Sequence, residues 1–262
     1  MLQLGDINKQ ALEIETLLRM NTYPIAVKMI KREEDIPDGA KRPLKDCGYN
    51  LALCQAISLA RRQRESIALL KEDMRCFEPV LGLGMAEAPQ YFLEGHNRYP
   101  ETAKTLETGG AWAKSFPRLA FGEYIGVTVA PLFEASFIPD LFILYINGMQ
   151  LTQLLIAKNW MDGRDITCTL SGHAACVYAI VPVVKNKQFQ VAVPCNGDRK
   201  RGLASDEEVI FSGPIALLGE LTTGLSYIKE TGRGLPYQLI MQPNYELEDS
   251  YLKIGRMIGM SV

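Results

Sequence analysis

GVTVAPLFEASFIPDLFILYI, residues 126 to 146, is the most apolar run in the chain, and its reading decides the fold. A membrane-spanning helix needs about 20 consecutive apolar residues. Glu134, Pro139 and Asp140 break the run before that length is reached. The two apolar pieces that remain predict strands, YIGVTVAPL and PDLFILYI, in a protein that does not enter a membrane.

Working outward, the downstream pattern is regular. It predicts a helix in NGMQLTQLLIAKNW, a strand in DITCTL, a helix in GHAACVYAIV, strands in QFQVAV and EEVIFS, and a helix in PIALLGELTTGL. Gly213 and Pro214 suit the start of that last helix and Gly224 its end. LEDSYLKIGRMIGM predicts one more packing helix. Upstream, Leu4, Ile7, Leu12 and Ile14 spaced among charges predict an amphipathic helix rather than the apolar core of a signal peptide. YPIAVKMI and SIALL predict strands, with a helix between them running from Asp46 through CQAISLARRQRE. The loop KEDMRCFEPVLGLGMAEAP holds a helical turn at Pro79. Strands alternating with helices of this length predict one α/β or α+β domain over residues 1–262, a mixed β-sheet flanked by helices. Residues 90–117, aromatic and polar, read as a helix-bearing insertion suited to a lid.

The chain has 262 residues, 47% of them hydrophobic, enough for a proper core. With 28 basic against 30 acidic side chains, it lacks the basic surplus that a nucleic acid partner demands. A cytoplasmic protein is expected, and there thiols stay reduced. Disulfides among Cys47, Cys54, Cys76, Cys168, Cys176 and Cys195 are then not expected. Their remaining roles are packing, nucleophilic chemistry or ligation of a soft metal.

Familiar motifs are absent. Gly82 and Gly84 suggest a dinucleotide fingerprint, but Glu87 stands where its third glycine belongs. The chain has no Walker A sequence, HExxH or GxSxG, and two histidines, His96 and His173, are too few for a His-rich zinc site. Cys47 and Cys54, seven apart on the expected helix, would lie about 10 Å apart along its axis, too far to share one ion. Cys54 is the better placed of the two. Cys76 precedes a Phe-Glu-Pro turn, Cys176 starts a helix after Ser-Gly-His, and Cys195 ends a strand in the polar loop VPCNGDRKRG. These four thiols suit convergence at one sheet edge, although LALCQAI and HAACVYAI also read as ordinary buried helix faces. Of the cluster Asp198, Arg199, Lys200 and Arg201, the last two read as partners of Asp206, Glu207 and Glu208, while Arg199 reads as functional.

YPIAVKMI, CQAISLAR, EDMRCFEPVLGLG, VAPLFEASFIPDLFILYING, GHAACVYAI, VPCNGDRKRG and EEVIFSGPIALLGEL together resemble the uncharacterised family called domain of unknown function 169, of anaerobic bacteria and archaea. The resemblance runs from Tyr23 to about Leu225 and brings no activity with it. It implies a set of four cysteines, Cys54, Cys76, Cys176 and Cys195, and leaves out Cys47 and Cys168. Four thiolates scattered along the chain fit a [4Fe–4S] cluster, with a redox or electron-transfer role. Zinc bound by the same four cysteines is the alternative, although structural zinc ligands usually come in close pairs. In the cluster reading, Arg199, Asn196 and Gly197 tune the metal group through hydrogen bonds, and the partner is a redox protein or a small molecule. Two other readings stay open. One is a metal-free module for a small molecule or anion gripped at Arg199; the other is thiol chemistry at Cys195 with His173 or Asp198 as its neighbour. Neither a substrate nor an oligomeric state follows from the sequence.

Overall fold

A computed structural model of the protein describes residues 3–232, 234 and 246–261. In chain order the helices are α1 (Leu4–Leu18), α2 (Leu53–Gln63), α3 (Phe77–Gly82), α4 (Gln90–Leu93), α5 (Leu106–Ser115), α6 (Gly148–Asp162), α7 (Ala175–Asn186), α8 (Asn196–Arg201), α9 (Leu218–Glu230) and α10 (Asp249–Met257). The strands are β1 (Ile25–Ile30), β2 (Ile67–Leu70), β3 (Gly126–Pro131), β4 (Leu141–Ile146), β5 (Gln190–Ala192) and β6 (Val209–Pro214). They form one six-stranded sheet in the order β2-β3-β1-β4-β6-β5, and every ladder is antiparallel. Among the described residues parallel pairing is confined to two isolated bridges, Lys41 with Ile67 and Leu51 with Met74, so the α+β form of the expected fold is the one realised.

The interrupted apolar run supplies two strands, β3 and β4, on either side of β1. LFILYI is buried along its whole length because both faces of the sheet are covered. Side chains alternate between faces along a strand. Leu141, Ile143 and Tyr145 accordingly join one core with α2, α3, α5 and α7, while Phe142, Leu144 and Ile146 join the other with α1, α6 and α9. Asp140, one of the chain breakers, accepts the Met29 amide at 2.7 Å just past the last β1–β4 pair, Val27 with Leu141. Among the described residues no helix is long and apolar enough to cross a membrane.

Four local expectations change. The second helix begins at Leu53, not Asp46. Pro43–Cys47 forms a π turn ending at Gly48, whose φ of 77° suits glycine, and Leu51 then pairs with the backbone of Asp73 and Arg75. Cys47 therefore lies off the helix that carries Cys54. DITCTL is irregular: it meets the sheet edge through the Gln190 side chain on the Thr169 carbonyl, not through a ladder. VPCNGDRKRG is no loop but contains α8. The helix expected over PIALLGELTTGL, α9, starts at Leu218, since Gly213 and Pro214 end β6, and Gly224 is interior to it, where an added Cβ would come within 3.1 Å of the Ala157 carbonyl and the Trp160 ring. The 90–117 segment is rooted in the core by Phe92, Ala113 and Phe116.

Candidate functional site

Four helices of the α2 face start around one cavity, and each brings a cysteine with it. Cys54 is the second residue of α2 and Cys176 the second of α7, while Cys76 and Cys195 occupy the N-caps of α3 and α8. All four line a cavity of about 320 Å³. The first turn of a helix has amides without intrahelical acceptors and the positive end of the backbone dipole, which offset part of the cost of a thiolate there.

Close approach of these helices depends on small residues. A Cβ at Gly82 on α3 would lie 2.4 Å from Val177 of α7, and one at Gly202, just past α8, would lie 2.9 Å from the Cys54 carbonyl. The two glycines let α3 meet α7 and α8 meet α2. Cys54 Sγ lies 3.9 Å from the Gly197 carbonyl across the second of these contacts.

The electrostatics are those of ionisable groups crowded where water is scarce. Burial pushes the Cys54 thiol up to about 12, with Asp198, Cys195 and Cys76 adding to the shift. Burial also holds Cys176 well above the ordinary thiol range, reinforced by Cys54, Cys76 and Cys195, and raises Cys76. Three neutral thiols therefore face the cavity, and their ionisation calls for positive charge among them. All six cysteines are unpaired.

Asn196, Gly197 and His173 line the same cavity. Burial and the nearby Arg98 guanidinium lower the His173 pKa, and its ring meets Trp112 edge-on at 5.6 Å. Arg199 is placed otherwise than the sequence reading had it: Nη1 donates to the Ser205 carbonyl at 2.5 Å and lies 3.5 Å from Asp206. Arg201, read as a surface partner of acids, lines the cavity instead. The cause is that α8 is a helix, so Asp198 and Arg201 share a side from which Arg199 is turned by about 100°. Cys47 and Cys168 do not line the cavity.

A family model for domain of unknown function 169, described as uncharacterised ArCR, matches residues 13–224. The chain belongs to this family. An uncharacterized protein of Methanocaldococcus jannaschii is 24% identical over 233 residues, covering 87% of this chain and 97% of the relative. No solved structure matches the chain. The domain of unknown function 169 match contains all four cavity cysteines.

Sequence reasoning named Asp198 as a neighbour of Cys195 but missed Tyr145, Arg61 and Glu208 behind it. Asp198 is buried, its Oδ2 accepting from the Tyr145 hydroxyl at 2.8 Å. The Arg61 guanidinium lies 3.9 Å from the centre of the Tyr145 ring and binds Glu208 at 2.7 and 3.1 Å. Burial pushes Asp198 up to about 6 despite the Tyr145 hydrogen bond. On the outer side, Arg98 pairs with Glu78 at 2.5 Å and stacks 3.8 Å over Trp112, tying the 90–117 segment to the residues after Cys76. Among the described residues, no group of three or more His, Cys, Asp or Glu side chains is placed to hold a metal ion directly. The thiols line a cavity instead.

Proposed function

We propose that this protein binds one [4Fe–4S] cluster through Cys54, Cys76, Cys176 and Cys195 and serves as a redox protein, either in electron transfer or as an enzyme. One observation carries the reading: four thiols drawn from positions 54 to 195 line a single cavity, each at the start of a helix. The donor set fits, because such a cluster takes four cysteine ligands and tolerates their dispersal along the chain. Helix N-termini offset the negative charge that four thiolates bring.

Size supports a many-atom guest. A water molecule takes about 30 Å³ of liquid, so a cavity of about 320 Å³ has far more room than one ion fills. A single zinc ion lies about 2.3 Å from each sulfur, which would draw the four sulfurs onto one point. Dispersal of the four cysteines from position 54 to 195 favours the cluster over structural zinc, whose ligands usually come in close pairs. When bound, the cluster supplies one-electron chemistry. The chain holds it, and the first-turn amides of α8, from Asn196 onward, are available to its sulfur atoms. A reducing cytoplasm, where unpaired thiols persist, is the setting this reading requires, with a redox protein or small molecule as partner.

The test is purification without oxygen, followed by iron and sulfide assay and electron paramagnetic resonance. Equal iron and sulfide, lost when Cys54, Cys76, Cys176 or Cys195 is replaced by Ser but kept in Cys47→Ser and Cys168→Ser, is the expected result. A colourless protein that takes up no iron on reconstitution ends the proposal and leaves the metal-free small-molecule reading in its place.

A further inference from the structure

Two guanidinium groups line the thiol cavity, those of Arg98 and Arg201, and they are held differently. Arg98 is engaged by Glu78 at 2.5 Å and by the Trp112 ring on which it stacks. The Arg201 side chain is exposed and, among the described residues, has neither a hydrogen bond nor an ion pair. Of the acids on the same wall, Glu78 holds Arg98, Asp198 holds the Tyr145 hydroxyl, and the exposed Glu101 forms no ion pair with either arginine. Arg201 therefore brings to the cavity a positive charge that no acid there neutralises.

The geometry of α8 puts that charge next to sulfur. Gly197 and Arg201 are four residues apart on this helix and so share a face. A Cβ built on Gly197 would lie 3.7 Å from Cys195 Sγ and 3.9 Å from Arg201 Nη1. Thiol and guanidinium thus flank one point, which the missing side chain of Gly197 leaves open. Cys76 feels the same group: burial raises its pKa, while the Glu78 amide and the Arg201 guanidinium act against the rise.

We propose that Arg201 supplies the balancing charge of the metal group, its guanidinium standing beside Cys195, offsetting the negative charge of the four thiolates and raising the midpoint potential. The inference rests on the cluster reading above. Four thiolates leave such a cluster negatively charged, and an added electron makes it more so. A cation alongside favours the reduced form more than the oxidised one, and because Arg201 is exposed, salt screens the effect. Lys200, the preceding residue, is turned by about 100° on the helix and does not line the cavity.

Wild type, Arg201→Ala, Arg201→Lys and Lys200→Ala are loaded with iron and sulfide without oxygen, assayed for iron, and titrated with dithionite at low and high salt. Iron per folded chain is expected to match wild type in all three variants. At a fixed potential the oxidised-to-reduced ratio of Arg201→Ala is expected to rise about tenfold, which for one electron is a midpoint about 59 mV lower. That gap narrows at high salt, Arg201→Lys stays close to wild type because it keeps the charge, and Lys200→Ala, which removes an equal charge outside the cavity, coincides with wild type. A wild-type midpoint in Arg201→Ala, or an equal shift in Lys200→Ala, overturns this inference while the cluster reading stands. Iron lost in Arg201→Ala and not regained in Arg201→Lys overturns it as well. Wild type that takes no iron overturns both.

Discussion

The two faces of the sheet are built from different material. On one, α1, α6 and α9, of 15, 15 and 13 residues, cover a core in which Phe142, Phe189 and Phe211 meet with ring centres 5.3 to 6.5 Å apart. Buried polar groups there, such as Gln150 and Thr222, are satisfied by nearby backbone carbonyls. On the other face, α3 and α8 are six residues long, and the ionisable groups Arg61, Asp198 and Glu208 are buried. Helices that short do not persist by themselves. Burying charges also costs several kcal/mol per ion before pairing returns part of it. Both faces bury an apolar core, and the second also holds ionisable groups around a cavity.

The largest expected effect separates the two faces. Phe142→Ala removes a fully buried ring from the apolar face and is expected to cost about 3–5 kcal/mol in urea unfolding. Iron bound per folded chain is expected to stay at the wild-type level, since no cavity residue is touched. Iron loss beyond the unfolded fraction would show that the faces are coupled and break the comparison.

The next effect lies on the cavity face and depends on pH. Asp198 rises from an ordinary 3.8 to about 6 in the folded protein, chiefly through burial. A carboxyl with a raised folded pKa favours the folded state below its unfolded pKa, and that contribution disappears as pH rises through the folded value. The difference of roughly two units corresponds to about 3 kcal/mol. Metal-free wild type is therefore expected to gain about 3 kcal/mol relative to Asp198→Asn between pH 8 and pH 4, as read by paired urea titrations. Asn still offers an oxygen to Tyr145, so the comparison isolates the charge. A stability difference that does not change with pH would mean that the cavity solvates Asp198 well.

How legible each face was follows from the same contrast. The apolar strands and long helices announce themselves through local periodicity, and α1, β1, β3, β4, β6, α6 and α7 fall where the sequence predicts them, while α9 is displaced towards the C-terminus at both ends. The four cysteines were also visible, as thiols next to turns and helix starts, although their meeting at one cavity depends on Gly82 and Gly202 permitting close helix contacts. Three things were hidden. NGDRKR carries turn-forming residues, and its helical state comes from packing against α2 rather than from its own propensity. Arg61 reads as one of several arginines at a helix end, and its burial requires Glu208, 147 residues away. Asp198 was legible as a neighbour of Cys195, but its burial was not, because the hydroxyl that meets it comes from Tyr145 on another strand.

The smallest expected effect tests the orientation of α8, which decides which of its residues line the cavity. Arg199 is partly exposed and bonds the Ser205 carbonyl, and its acidic neighbour Asp206 is fully exposed. Partners of this kind contribute about 1 kcal/mol or less. Arg199→Ala is therefore expected to change stability by no more than about 1 kcal/mol and to leave iron content and midpoint potential at wild-type values. The reason is geometric: successive residues on a helix are turned by about 100°, so the turn that brings Asp198 and Arg201 to the cavity takes Arg199 away from it. A shifted potential in Arg199→Ala would mean that α8 turns when the cavity is filled and brings Arg199 towards the guest.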